Sequence, residues 1–196
     1  MSALAGVILA GGRATRMGGG DKCLIRLGSN RLIDRVRARL GPQVDAMALN
    51  ANGAAARFAN LDLPVVADSL AGFPGPLAGV LAGMDWADAK GFAQIVTVAG
   101  DTPFFPVDLV ARLQEVGPFT LAATLEGDQI YRQPTFGLWP VALRDDLRAA
   151  LQNGLRKVVQ WTDGHNAGQA VWDATDSNPF FNINTPEDLR VAEGLL

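Results

Sequence analysis

Apolar residues along this chain fall into two alternating patterns, short unbroken runs and stripes at helical spacing. Leu4 to Ala10 is an unbroken run that stops at Gly11-Gly12, which predicts a buried first strand ending in a tight loop. Leu32, Ile33, Val36 and Leu40 then recur at helical spacing among Arg31, Arg35, Arg37 and Arg39, and Gly41-Pro42 closes that helix. Val44 to Leu49 predicts a second strand and Leu63 to Ala67 a short third. Pro76, tolerated at a first helical position, predicts a helix through about Ala87. Ile95 to Ala99 is another central apolar strand capped by Gly100-Asp101, and Pro106 is expected to open the next helix. Leu121 to Leu125 and Thr135 to Leu138 read as further strands, taken as antiparallel additions. Helices are expected at Ala142 to Gln152 and from Pro186 to the end.

Strands alternating with helices imply an α/β fold. The expectation is a Rossmann-like three-layer sandwich with a mostly parallel central sheet and added antiparallel strands in the C-terminal half. Neither a repeat nor a linker interrupts the 196 residues, so one domain over 1–196 is expected.

Composition narrows the function. With 48% hydrophobic and 19% charged residues the chain reads as a globular domain. A net charge of -3 gives no general surface for polyanions, so no nucleic-acid partner is expected, and a phosphorylated ligand needs a local loop. Cys23 is the only cysteine, which excludes an internal disulfide. His165 is the only histidine, which argues against a Ser-His-Asp triad or a zinc site. No apolar run reaches membrane-spanning length and no signal segment precedes the first strand, so a cytoplasmic protein without a membrane partner is expected.

That local loop is present. Between Leu9 and Lys22 lie five glycines (Gly11, Gly12, Gly18, Gly19, Gly20) and the cations Arg16 and Lys22, directly after the first strand. Glycines let backbone N–H groups approach phosphate oxygens, while arginine and lysine supply charge. A P-loop is excluded because Cys23 follows Lys22, and Gly11-Gly12-Arg13 does not make a dinucleotide fingerprint. Asp101 ends the central strand where a ligand crevice is expected, as a carboxylate suited to magnesium, although an Asp there also serves as a helix cap or turn former. Asp68 past the third strand reads equally as a nucleotide contact or a cap. Asn50, at the end of strand two, has an amide able to read a purine edge.

The C-terminal half is less explicit. Gln133-Pro134-Thr135-Phe136 reads as a turn entering a strand, and Arg156-Lys157 as a solvated helix face. Thr185, Pro186, Glu187 and Asp188 make a capped helix start, which leaves Asn182 and Asn184 on one side of an extended segment without an assigned role.

Leu9-Ala10-Gly11-Gly12, Arg16-Met17-Gly18 and Lys22 together resemble the loop of the nucleotidyltransferase superfamily that includes the sugar-nucleotide pyrophosphorylases. The form Arg16-Met17-Gly18-Gly19-Gly20-Asp21-Lys22 is especially similar to the molybdenum cofactor guanylyltransferases. The resemblance spans essentially the whole chain. It implies nucleotide contacts at Leu9, Ala10, Gly11, Gly12, Lys22, Asn50, Asp68 and Asp101, with Asp101 on Mg2+. It implies a molybdopterin pocket lined by Gln133, Pro134, Arg156, Lys157, Asn182 and Asn184. The nucleotide-binding half then runs to about residue 105 and the molybdopterin-binding half over about 106–196. The related cytidylyltransferases carry a Gly-His-Pro-type segment where Gln133-Pro134 stands here. The implied reaction transfers GMP from GTP to the terminal phosphate of Mo-molybdopterin, with Lys22 and Arg16 stabilising the departing pyrophosphate. A product of this kind is expected to pass to a molybdoenzyme chaperone or another cofactor-biosynthesis protein. Two alternatives stand beside it: another nucleotidyltransferase, acting with CTP or on a sugar phosphate, and a non-catalytic GTP- or pterin-binding adaptor.

Overall fold

The computed structural model describes residues 3–11, 20–70, 72, 75–174 and 178–196. The apolar run of the first strand forms β1 (Leu4–Leu9), and the chain then makes a two-residue-per-strand hairpin, β2 (Arg26–Leu27) and β3 (Asn30–Arg31). Gly28 turns that hairpin at φ 62°, a conformation that favours glycine. Helix α1 (Leu32–Leu40) leads to β4 (Ala46–Asn50) and β5 (Val65–Val66), and α2 (Pro76–Ala89) to β6 (Gln94–Ala99). These four longer-range strands pair in parallel, in the order β5-β4-β1-β6. The chain leaves β1 for β4 and β5 on one side and returns to β6 on the other. The carboxyl ends of β1 and β6 are therefore the point where the strand order switches, and α/β sheets bind ligands just outside such a point.

Beyond β6 the sheet continues with β8 (Gln129–Pro140), β7 (Thr120–Glu126) and β9 (Gly168–Asp173). The sheet is mostly parallel, as the alternation predicted, but the expected pair of antiparallel additions is corrected to one. Helix α3 (Leu109–Val116) carries the chain across to β7, which runs in the direction of β6 and leaves a gap one strand wide. A turn at Gly127-Asp128 folds β8 back into that gap, antiparallel to both neighbours, and β9 pairs parallel to β7. The expected strand over Thr135–Leu138 is only the inner end of the 12-residue β8. Pro106 does not open α3. Its carbonyl accepts the Leu109 N–H at 3.2 Å to close a preceding turn, while Asp108 at the helix start accepts the Trp172 indole N–H instead of capping.

Side chains alternate across the sheet. Leu4 and Ile8 of β1 and Val96 and Val98 of β6 pack under α1 and α3, whereas Ala5, Val7 and Ile95 pack under α2, α4 (Arg144–Gln152) and α5 (Val158–Gly164). Two glycines let helices close on β1. A Cβ on Gly6 would stand 2.9 Å from Leu40 Cδ2 of α1, and one on Gly83 of α2 would stand 2.8 Å from Val7 Cγ2. Helix α6 (Pro186–Glu193) packs as a satellite with Ile183, Leu27 and Leu32. Among the described residues, no helix is long and apolar enough to cross a membrane.

Candidate active site

A cleft of ≈ 790 Å³ lies outside the carboxyl ends of β1, β4 and β6. Leu9 and Gly11 line its floor, while Ala10 between them is buried and donates its N–H to the Asn50 carbonyl at 2.9 Å. Gly100 continues the ladder on the other side, its N–H on the Leu9 carbonyl at 2.9 Å. A Cβ there would meet Cys23 Cβ at 3.2 Å and the Leu9 carbonyl oxygen at 3.3 Å, so the segment carrying Asp101 lies tight against the loop from β1. Gly12 and Arg16 fall outside the described residues.

At one end of the cleft a charged cluster gathers residues from three distant stretches of chain. Lys22 opens a short 3-10 turn (Lys22–Leu24) and is 9% exposed. Its ammonium donates to Asp101 Oδ2 at 2.6 Å, to Asn182 Oδ1 at 3.3 Å and to Asn184 Oδ1. An ammonium has three N–H groups, so all three have partners. Ile183 between the asparagines is fully buried, and its N–H bonds the Asp101 carbonyl at 3.0 Å, which fixes this extended segment beside the metal-ligand candidate. The resemblance assigned Lys22 and Asp101 to the nucleotide and Asn182 and Asn184 to the acceptor; the fold brings the four together, with both asparagines bonded to Lys22. Cys23 beside them is 2% exposed. Burial, reinforced by the negative charges of Asp21 and Asp101, pushes its thiol up to about 12, so it is not a nucleophile.

At the other end Asp68 is held by two amides. Asn50 Nδ2 donates to Asp68 Oδ1 at 2.9 Å, and Asn52 Nδ2 donates to Asp68 Oδ2 at 2.7 Å. The Asn52 side-chain oxygen in turn accepts the Asp68 N–H at 2.9 Å. Asn50 also donates to the Val66 carbonyl at 3.2 Å, and its Oδ1 faces Gly79 of α2, where a Cβ would stand only 2.3 Å away. Both Asn50 donors thus serve protein acceptors, and the group left facing the cleft is the Asp68 carboxylate.

Asn52 and Thr135 line the cleft and Arg57 braces it, and the sequence reading singled out none of the three. Asn52 repeats Asn50 at the two-residue spacing that puts side chains on one side of an extended segment, a signal that was available. Thr135 enters through a bulge. The pairing of β7 with β8 jumps from Leu121↔Gly137 to Ala122↔Gln133, leaving Pro134, Thr135 and Phe136 out of the ladder. Gln133 bonds Thr124 Oγ1 at 3.3 Å and lies in the strand beside the bulge, so of this motif Thr135 reaches the cleft wall. Arg57 pairs with Asp21 at 2.5 Å and bonds the Asn52 carbonyl, bracing Lys22's neighbour against the Asp68 end. Arg156 and Lys157 do not join the cleft; they lie exposed at the start of α5, on a separate groove with Asn153 and Gln160.

A cleft at the strand-order switch, lined by Gly11 where β1 ends and closed at one side by a buried lysine against Asp101, fits a nucleotidyltransferase. The chain belongs to the MobA-like NTP transferase family, whose domain model matches residues 6–167. It is 45% identical over 201 residues to the molybdenum cofactor guanylyltransferase of Mesorhizobium japonicum, covering 98% of this chain and 96% of that one. It is 49% identical over 193 residues to the enzyme of the same name from Rhodopseudomonas palustris, covering 96% and 90%. Among solved structures, the fold matches molybdopterin-guanine dinucleotide biosynthesis protein A from Archaeoglobus fulgidus at a TM-score of 0.72 and 22% identity, over 97% of both chains. It also matches 4-diphosphocytidyl-2C-methyl-D-erythritol synthase from Anaerococcus prevotii, with a TM-score of 0.73 and 14% identity over 99% and 96%.

Proposed function

We propose that this nucleotidyltransferase transfers GMP from GTP to the terminal phosphate of molybdopterin and releases pyrophosphate. The observation that carries the choice of base is the Asp68 carboxylate, fixed by Asn50 and Asn52 and facing the cleft. A carboxylate only accepts hydrogen bonds. Guanine offers two adjacent donors on its Watson–Crick edge, N1–H and the 2-amino group, whereas adenine presents an acceptor at N1. An adenine there leaves lone pairs facing each other, so the site discriminates through an unpaired polar contact. The relatives' names support guanylyl transfer independently.

The triphosphate then lies along Leu9 and Gly11 toward Lys22, and the acceptor approaches from the side of Thr135 and Asn182. An oxygen of the acceptor's terminal phosphate attacks the α-phosphorus of GTP. The new P–O bond forms as the bond from the α-phosphorus to the bridging oxygen breaks, and pyrophosphate carries away the electron pair. The nucleophile is already an anion and needs no general base. What the chain supplies is position and charge neutralisation. Lys22 stabilises charge on the leaving pyrophosphate, and Arg16 is proposed to assist it.

Magnesium fits the residues at this end of the cleft. Asp101 offers a hard carboxylate at a half-open position, 16% exposed, and among the described residues no group of three acidic, histidine or cysteine side chains forms a closed metal cage. One carboxylate plus substrate phosphates is how magnesium is commonly held. Bound there, the ion neutralises charge on the triphosphate. The product is expected to be passed to another protein.

The test is pyrophosphate release from each of the four ribonucleoside triphosphates, with and without molybdopterin, and with and without magnesium. Release from GTP alone among the four, requiring both acceptor and magnesium, is the expected result. Release from CTP overturns the base assignment and leaves the reaction standing. No release from any triphosphate, with GTP still bound, means an adaptor and overturns the enzyme.

A further inference from the structure

We propose that Asn182 and Asn184 are positioning residues for Lys22, acting on the GTP side of the site whether or not an acceptor is bound. This rests on the reading of Lys22 as a triphosphate contact. The capped start of α6 leaves both asparagines without a task, since Thr185 and Asp188 close that box by themselves. The geometry supplies one. Both side-chain oxygens accept from the Lys22 ammonium, across more than half the length of the chain, while its third N–H goes to Asp101.

Charge explains why these acceptors are amides. A lysine 9% exposed and paired with one carboxylate forms a neutral unit. Carboxylates at 182 and 184 would make the cluster doubly negative and repel a triphosphate. Amide oxygens satisfy two ammonium N–H groups without adding charge, so the cation stays beside Asp101 and remains available to an anion. Without them, a long flexible side chain has one anchor, and ordering it then falls to the nucleotide. The anchor itself is rigid. Ile183 is buried between the asparagines, and its N–H holds the Asp101 carbonyl at 3.0 Å, so the backbone carrying both amides is fixed to the backbone carrying the carboxylate.

The experiment uses magnesium-GTP and the whole protein with no pterin present. Equilibrium dissociation constants are measured for the wild type, Lys22→Ala, Asn182→Ala, Asn184→Ala, the double asparagine variant, and that double variant combined with Lys22→Ala. Each single asparagine change is expected to weaken GTP binding about three- to tenfold, the net scale of one ordinary hydrogen bond, because the other two Lys22 partners remain. In the Lys22→Ala background the asparagine changes are expected to add nothing, because they act through the lysine. A second readout is residue-resolved amine acylation, with Lys90 and Lys157 as internal references among the three lysines. Lys22 is expected to label several-fold faster in the asparagine variants at an unchanged Tm; Lys90 and Lys157, exposed in the native fold, calibrate the reagent, and the Tm separates loss of positioning from loss of stability. Both asparagines are exposed, so the variants are expected to fold. If Lys22→Ala weakens GTP binding and the asparagine changes do not, the positioning role is wrong and the reading of Lys22 survives. If Lys22→Ala binds GTP like the wild type, that reading fails and takes this proposal with it.

Discussion

Both side-chain N–H groups of Asn50 are engaged with Asp68 and Val66, so a base can be read by Asn50 only at the expense of those bonds. Its oxygen is confined by Gly79, where a Cβ would also meet Leu9 Cδ2 at 3.0 Å. Gly79→Ala therefore pushes Asn50 off its seat, and the effect travels to Asp68. The expected outcome is a rise in the GTP dissociation constant of about tenfold with a reduced preference over ATP, measured on a variant whose helix α2 is intact by circular dichroism. Alanine is otherwise favoured over glycine in a helix by about 1 kcal/mol, so retained affinity with a higher Tm would show that Asn50 is free to move. At the other end, Asp101→Ala removes the carboxylate paired with Lys22. Turnover is expected to fall by about 10²–10³, the scale of losing one preorganised electrostatic group, with no magnesium response left. A variant still stimulated by magnesium would locate the ion elsewhere. The residues of this site were legible in the sequence because phosphate chemistry restricts which types serve. Their partners were not, since which polar atom of Asn50 or Asn184 faces the cleft depends on contacts 18 or 162 residues away.

Long elements with one rhythm were readable, and α1 appears at Leu32–Leu40 as its stripe predicts. Elements whose shape depends on neighbours were not. β9 alternates weakly between buried Ala170 and Trp172, and its place in the sheet follows from β7 being parallel to it, which no local pattern encodes. The bulge in β8 is another case. Thr97, fully buried in β6, donates its hydroxyl to the Thr135 carbonyl at 2.9 Å and accepts the Trp139 indole N–H at 2.8 Å. That one hydroxyl satisfies the Thr135 carbonyl that the bulge takes out of the ladder, together with the buried Trp139 indole, and holds Thr135 at the cleft. Thr97→Val keeps the shape and strands both partners, so a loss of about 1–3 kcal/mol is expected, a Tm drop of roughly 2–12 °C for a chain of this size. An unchanged Tm would mean that water replaces the hydroxyl. The α6 cap gives a prediction in pH. Burial alone would raise the Asp188 carboxyl, but hydrogen bonds from the Asn184 and Thr185 backbone N–H groups and the Thr185 hydroxyl, helped by the Lys22 charge, hold it below the ordinary 3.8. Its stabilisation is therefore complete above about pH 4 and is lost as pH falls through the lowered value. Thr185→Ala, which removes the reciprocal bond and is expected to cost about 1 kcal/mol, should flatten that acid limb. An acid limb identical in wild type and variant would assign it to other carboxylates.

At the scale of the molecule, the two halves distinguished by their ligands are not distinguished by their hydrogen bonds. β6, from the half expected to bind nucleotide, pairs along Gln94–Thr97 with β8 from the other half, and Trp139 of β8 packs with Val7 and Leu81 in one core. The Lys22–Asp101–Asn184 cluster ties the same two regions at the cleft. Separating them would break a central ladder and open a dry interface, so local opening at that seam is as costly as global unfolding. The expectation is a single cooperative transition. The four tryptophans, Trp86, Trp139, Trp161 and Trp172, report from α2 to β9, and their fluorescence should coincide with the far-ultraviolet signal at one midpoint. Magnesium-GTP at about 100 times its dissociation constant adds roughly 2.7 kcal/mol to the native state. That should move the whole curve upward by about 5–11 °C without splitting it. If GTP instead shifts one part of the curve and leaves a second midpoint in place, the nucleotide-binding half unfolds on its own, and the seam between β6 and β8 is weaker than its hydrogen bonds and packing require.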